Sequence, residues 1–325
     1  MSKAVRIHAH GGPEVLQYEG VDVPAPGAGE VQLRQTAIGL NYIDVYHRTG
    51  LYPVASLPTA IGLEAAGVVE GLGEGVAALA VGDRVAYAAP PLGAYAERRN
   101  MPAHRLVRLP DGIDDEQAAA MMLQGMTVEY LIRRTYPVQR GETVLLHAAA
   151  GGVGLIACQW LKHLGATVIG TVGSAQKGEL ARAHGCDHVI HYRDEDIAAR
   201  VREITAGEGV PVVYDSVGRD TFEASLDSLR PRGLLVNFGN ASGLAPAVDG
   251  QLLAQKGSLF FTRPTLMTYT ASEADLQASA AALFEVVQSG AVKIEIHQRY
   301  PLAEAAQAHR DLEARKTTGS TLLLP

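Results

Sequence analysis

The spacing of apolar and polar positions divides the chain into three regimes. From residue 1 to about residue 110, apolar positions recur with period two or in short bursts, each interrupted by glycine or proline. In residues 30–38, Val31, Leu33 and Ala37 share one face with a single polar Gln35, the pattern of a half-buried antiparallel strand. The run Gly62-Leu-Glu-Ala-Ala-Gly-Val-Val-Glu-Gly-Leu-Gly-Glu-Gly-Val and then Gly82-Asp-Arg-Val-Ala-Tyr predict short, bent strands joined by tight turns. That composition suits a small, partly open β-barrel. No strand-helix-strand rhythm appears here.

The period changes near Asp114, where Asp-Asp-Glu-Gln-Ala-Ala-Ala reads as a capped helix with acidic residues in its first turn. Residues 143–146 then form a short apolar, β-branched run that ends in Ala149-Ala150-Gly151-Gly152-Val153-Gly154. Apolar positions at Val153, Ile156, Trp160, Leu161 and Leu164 define one helical face, Gly165 suits the helix end, and residues 167–172 supply a second strand. Further strands are predicted at 188–191, 210–214, 233–238 and 258–262, with helices at 176–183, 197–205, 221–229 and 249–255. This alternation is that of a doubly wound parallel sheet. Past Pro264 the pattern changes again, to a helix at 273–289, a strand at 293–300 and a last helix at 302–314. With six strands already in the parallel sheet, this tail is expected to return to the first domain.

Composition narrows the picture. The chain has 325 residues, 47% hydrophobic and 19% charged, as in an ordinary globular protein of about two domains. A net charge of −7 without a basic run argues against a nucleic-acid surface. The two cysteines, Cys158 and Cys186, point to a reducing compartment, and no apolar run is long enough for a membrane span, so a cytoplasmic location is expected.

The glycine turn between strand and helix is a dinucleotide-binding pattern. Gly151 lets backbone approach a pyrophosphate, Gly154 permits close helix-strand packing, and the helix N-terminus offers free N–H groups. Ala149 stands where the first glycine of the pattern would be. At the end of the second strand an acid would bond the ribose 2′-hydroxyl of NAD, yet Thr171-Val-Gly-Ser-Ala-Gln-Lys177 contains none. Gly173 and Ser174 leave room, Lys177 supplies a cation and Tyr192 a hydroxyl, so NADPH is the expected cofactor.

Taken together, the residues resemble the zinc-independent quinone oxidoreductases of the medium-chain dehydrogenase/reductase superfamily, the group that includes zeta-crystallin. The resemblance is carried by His10-Gly-Gly-Pro-Glu-Val-Leu16, Asn41-Tyr-Ile-Asp44, Gly50-Leu-Tyr-Pro53, Gly62-Leu-Glu-Ala-Ala-Gly67, Gly82-Asp-Arg-Val85, the segment from His147 to Trp160, Gly170-Thr-Val-Gly173, Val213-Tyr-Asp-Ser-Val-Gly218 and Phe238-Gly-Asn240. It implies an α/β protein: a GroES-like, partly open β-barrel catalytic domain, residues 1–123 completed by 265–325, and a Rossmann domain with a six-stranded parallel sheet, residues 124–264. NADPH would lie in the cleft between them and deliver hydride to a quinone. By similarity, Gly151, Gly152 and Val153 would contact the pyrophosphate. Gly173, Lys177 and Tyr192 would surround the adenosine phosphate, and Ser216, Phe238, Gly239 and Asn240 the rest of the cofactor. Asn41, Asp44, Tyr46 and Tyr52 would line the nicotinamide end, with Asn41, Tyr46 and Tyr52 positioning substrate. Gln124 and Thr127, at the hinge, would also meet the cofactor, Gln124 standing where bacterial relatives can carry lysine. Two-fold pairing of the edge strand near Ser258 and Thr262 would make a homodimer.

No metal is expected. A catalytic zinc needs three protein ligands and a structural zinc in the alcohol dehydrogenase branch four thiolates, but the first domain has no cysteine. Asn41 occupies the place resembling that branch's first cysteine ligand, and Leu63 that of its histidine. Without a Lewis acid the substrate must itself accept hydride readily, as a quinone does by forming a resonance-stabilised phenolate. An enone or 2-alkenal reductase needs the same cofactor and no metal, and is the alternative chemistry. An NADPH-binding structural or regulatory protein is the alternative without turnover.

Overall fold

The computed structural model describes residues 2–325 and divides into two compact units. The first comprises residues up to Met126 together with Thr270–Gln288 and Ile294–Pro325; the second comprises Thr127–Tyr269 with Ser289–Lys293.

The first unit is built on a bent, mostly antiparallel sheet, in which Ile296–Pro301 and Ser320–Leu324 are the parallel pair. Its strands run in the order Ile296–Pro301, Ser320–Leu324, Glu30–Leu40, Glu64–Leu72, Arg84–Ala88 and Val107–Arg108, with Arg98–Pro102 also paired to Glu30–Leu40. A three-stranded sheet of Leu16–Val21, Ser2–Ile7 and Thr59–Ala60 accompanies it. The inward positions Val31, Leu33, Gln35 and Ala37 are all buried. Register shifts between Gln32 and Leu33 and between Gln35 and Ala37 mark two bulges, which bend the strand. At the second, a Cβ on Gly67 would lie 2.4 Å from the Arg34 carbonyl oxygen, so only glycine fits. Buried Gln35 is satisfied by the Ala94 carbonyl at 2.7 Å and by the Tyr87 hydroxyl, which removes the cost of one polar residue on an apolar face.

The second unit is a parallel sheet of six strands in the order His188–His191, Thr167–Val172, Thr143–Leu146, Val210–Asp215, Leu229–Asn237 and Phe260–Thr262. Thr143–Leu146, Thr167–Val172 and His188–His191 coincide with the predicted strands, and the helix Gly152–Leu164 ends at Gly165 with φ of 84°. Leu145, Ile169, Val213 and Leu235 are each fully buried on successive strands. The β-branched runs are therefore apolar because both faces are covered.

Several elements differ from the sequence expectation, among them the strand expected at 233–238, which is Leu229–Asn237. A helix at Tyr42–Thr49 and a final strand at Ser320–Leu324 were not predicted, the strand expected at 293–300 is Ile296–Pro301, and the edge strand begins at Phe260 rather than Ser258. Gly257 and Ser258 have positive φ values of 111° and 56°, which turns the chain before it can pair. No helix among the described residues is long and apolar enough to cross a membrane.

Candidate active site

In the second unit the residues singled out from sequence gather at the C-terminal ends of the parallel strands, where such sheets bind ligands. The glycine turn follows Thr143–Leu146, Gly173 follows Thr167–Val172, Tyr192 follows His188–His191, Ser216 follows Val210–Asp215, and Phe238 to Asn240 follow Leu229–Asn237. Thr127 lies in the same unit, buried in the helix Met122–Tyr130.

The turn itself is tightly determined. Ala148 adopts φ of 55°, a left-handed conformation that costs a residue with a Cβ about 1 kcal/mol. It is held by the Gly151 N–H donating to the Ala148 carbonyl at 3.0 Å and the Ala149 N–H donating to the Thr171 carbonyl at 3.1 Å. A Cβ on Gly154 would lie 2.3 Å from the Ala148 oxygen and 2.6 Å from the Ala149 carbonyl carbon, whereas one on Gly151 meets only the Ala148 oxygen, at 3.3 Å. Gly154 thus lets the helix sit on the strand, and Gly151 leaves open space over the helix N-terminus. The structure also explains Ala149 in place of glycine: on the neighbouring strand, a Cβ at Gly170 would fall 2.6 Å from the Ala149 methyl.

At the end of the second strand, Ser174 caps the helix Ala175–Ala183 by accepting from the Lys177 N–H. Lys177 therefore sits in that helix's first turn. A Cβ on Gly173 would come within 2.6 Å of the Tyr192 hydroxyl oxygen, so the tyrosine occupies the room that glycine leaves. The loop carrying Ser216 is fixed by Asp215, whose Oδ1 accepts from the Val217 and Gly218 N–H groups at 2.7 and 3.0 Å. Its Oδ2 accepts from the Thr221 and Ser225 hydroxyls at 2.8 and 3.0 Å. The Phe238 N–H donates to the Asp215 carbonyl at 2.8 Å, and Gly239 packs so closely on Ser216 that a Cβ would lie 2.5 Å from its carbonyl oxygen.

In the first unit, Asn41, Asp44 and Gln124 are linked by hydrogen bonds, and Tyr46 and Tyr52 form a ring pair. Asn41 precedes the helix Tyr42–Thr49 with extended backbone, and its N–H donates to Asp44 Oδ2 at 2.9 Å, the return half of a capping box. Gly50 ends the helix with φ of 82°. The Asn41 side chain donates to Glu64 Oε2 at 2.6 Å and accepts from Gln124 Nε2 at 3.2 Å, while the Ser320 hydroxyl donates to Gln124 Oε1 at 2.9 Å. Glu64 Oε1 accepts from the Leu123 N–H at 2.7 Å. Both acids are fully buried, and burial raises Asp44 to about 7 and Glu64 to about 8 against the donors that favour their ionised forms. The rings of buried Tyr46 and half-buried Tyr52 lie 5.0 Å apart, tilted by 58°, and those of Tyr42 and Tyr46 5.6 Å apart.

Glu64 was not singled out from sequence. It belongs to Gly62-Leu-Glu and directly follows Leu63, so the same segment that argued against a histidine ligand also carried the acid that orients Asn41. Among the described residues no cluster of three or more His, Cys, Asp or Glu side chains is arranged to hold a metal ion.

Comparison with known proteins places this arrangement. The Alcohol dehydrogenase GroES-like domain family matches residues 27–111, and the Zinc-binding dehydrogenase family matches residues 152–285. A quinone oxidoreductase of Pseudomonas aeruginosa is 56% identical over the whole of both chains. The chain belongs to the quinone oxidoreductase family of the medium-chain dehydrogenase/reductase superfamily. Within and around that family, the crystal structure of the Escherichia coli quinone oxidoreductase complexed with NADPH superposes with a TM-score of 0.98 at 51% identity, covering 99% of this chain and 100% of that one. A 2-haloacrylate reductase of a Burkholderia species is 47% identical over 100% of this chain and 99% of its own. The quinone oxidoreductase fold, a GroES-like unit with a six-stranded Rossmann sheet, is the fold seen here.

Proposed function

We propose that this enzyme reduces quinones with NADPH and without zinc. The reading rests above all on the full-length likeness to quinone oxidoreductases, one of them solved with NADPH. The turn offers the N–H groups of Gly152 and Val153 at the helix start to the pyrophosphate, and Gly151, whose own N–H is spent on the Ala148 carbonyl, leaves the space the ligand needs. Lys177 and Tyr192 face the 2′-phosphate as charge and hydroxyl donor, and Ser216, Phe238, Gly239, Asn240 and Thr127 hold the remainder. When bound, NADPH supplies hydride.

This chain's residues then position the acceptor. Tyr46 and Tyr52 present aromatic faces and hydroxyls to a quinone ring, and Asn41, its amide fixed between Glu64 and Gln124, orients substrate or nicotinamide. No Lewis acid is required, because the negative charge delocalises over the reduced ring. Asn41 and Leu63 provide neither thiolate nor imidazole where the alcohol dehydrogenase branch places zinc ligands, and Asn41 is already engaged on both amide atoms. The likeness to a 2-haloacrylate reductase favours one second reading, hydride addition to an activated alkene. The edge strand Phe260–Thr262, with Phe260 60% exposed, is the surface through which two copies pair. Sedimentation giving a monomer would remove that pairing. The cysteine usage fits a cytoplasmic setting.

Steady-state oxidation of NADPH with 1,4-benzoquinone, a 2-alkenal and 2-chloroacrylate tests the reading. Benzoquinone is expected to be the best acceptor, and reduction of the alkenes alone would overturn it. Tyr52→Phe should lower quinone turnover roughly 2- to 10-fold, the loss of one hydrogen bond, and leave NADPH affinity unchanged. An unaltered rate would return Tyr52 to packing.

A further inference from the structure

Behind Asp44 runs a chain of hydrogen bonds whose directions are forced, reaching from the helix Tyr42–Thr49 to the C-terminal helix Ala305–Glu313. The buried Arg48 guanidinium holds Glu313 with two bonds of 2.8 Å and lies 3.1 Å from His309 Nδ1. Guanidinium has no acceptor, so His309 Nδ1 must accept. Burial and the neighbouring Arg48 push the His309 pKa down to about 3, so the ring is neutral and its one proton is on Nε2. That N–H donates to the Tyr95 hydroxyl oxygen at 3.0 Å, and the Tyr95 hydrogen is left to donate to Asp44 Oδ2 at 3.0 Å. Burial and Asp44 hold Tyr95 well above its ordinary pKa, so it remains a donor.

Asp44 Oδ2 therefore receives two donors, Tyr95 and the Asn41 N–H. Oδ1 is buried and has no hydrogen-bond partner among the described residues. We propose that Tyr95, His309 and Arg48 are positioning residues that confine the proton of a neutral Asp44 to Oδ1, and that ionisation of this acid switches quinone reduction off. The proposal rests on the reading that this end of the first unit receives the substrate. An ionised Asp44 would bury an anion directly behind the Asn41 backbone to which it is bonded, and like charge opposes a ring oriented by Asn41 that becomes negative on reduction. The other groups facing Asp44 do not relieve it. Glu64, on Glu64–Leu72, adds repulsion once ionised, and Arg48, on the same helix, is neutralised by Glu313. Tyr95, from the loop before Arg98–Pro102, is the one side chain that stabilises the anion by direct donation. Burial lifts the acid to about 7, so turnover should fall as pH rises through neutrality.

The test reads the carboxyl and the rate separately in the full-length protein. Infrared spectra from pH 5 to 9 should show a protonated carboxyl band that disappears near neutral pH and is missing from Asp44→Asn, which separates it from Glu64. Tyr95→Phe removes the donor to the anion, so the band should persist to about one pH unit higher. The alkaline fall in kcat/KM for 1,4-benzoquinone should move with it. His309→Gln keeps an acceptor for Arg48 and a donor for Tyr95, and should leave the titration in place. A wild-type Asp44 that titrates in the ordinary aspartate range, or a Tyr95→Phe titration that does not move, overturns the proposal, whatever the rate or stability of the variant. If no quinone is reduced at any pH, the functional reading and the switch fail together, whereas the infrared titration still decides at which pH Asp44 holds its proton and whether Tyr95 sets it.

Discussion

Gly154→Ala is expected to weaken both the fold of the second unit and its hold on NADPH, whereas Gly151→Ala is expected to weaken only the latter. The added methyl at 154 meets backbone atoms at 2.3 and 2.6 Å, which cannot rotate away as a side chain can. The helix Gly152–Leu164 must lift from the backbone of the turn at Ala148 and Ala149, at a cost of about 1 to 3 kcal/mol for an overfilled contact. That movement also releases the Ala148 conformation and displaces the N–H groups facing the pyrophosphate, so NADPH affinity should fall by about tenfold or more. At 151 the methyl has one neighbour at 3.3 Å and a φ of −79°, which alanine adopts readily. It would instead stand in the space the pyrophosphate needs. Denaturant unfolding and fluorescence titration with NADPH separate the two effects, and equal stability losses would refute the assignment of Gly154 to packing and Gly151 to ligand space.

Lys177→Ala should cost NADPH about 1 to 3 kcal/mol, or roughly 5- to 150-fold in Kd, and leave NADH nearly unaffected. The difference arises because the 2′-phosphate is the one group that separates the two cofactors, and no carboxylate ends the strand Thr167–Val172 to repel it. Ser174 and the helix it caps fix the position of Lys177, so the lost charge is not replaced by a neighbouring side chain on the same turn. The comparison is sharpest at low ionic strength, where a partly exposed charge is least screened. Equal losses for both cofactors would remove Lys177 from the phosphate.

The parallel sheet was legible because its signals are local: an apolar run, a glycine turn and a helical face occur within 30 residues of one another, and each restricts the next. The helix Tyr42–Thr49 was equally local and still went unread. Asn41 before it, Asp44 at its third position and Gly50 after it are ordinary helix boundaries, obscured by a segment otherwise rich in strand and turn residues. The final strand Ser320–Leu324 has four buried residues and no alternation, so its pattern does not tell which partner it has. Site residues followed the same division. Gly151 and Gly173 could be read from their place after predicted strands, whereas Ser216 and Phe238 came from the family resemblance. The partners that hold Asn41 and Asp44 in place, Glu64, Tyr95, His309 and Ser320, come from four remote segments, and their meeting depends on how the barrel closes.

That closure has a consequence for the order in which the molecule is made. A chain emerging from the ribosome presents every strand of the parallel sheet before Ser320–Leu324 exists, so the second unit can fold while the first still lacks a strand. Leu40 waits for Thr321, Gln124 for Ser320, and Arg48 for Glu313. On the proposed reading, the end of the first unit that receives substrate is thus completed last, and a nascent chain would be ready for its cofactor before it is ready for catalysis.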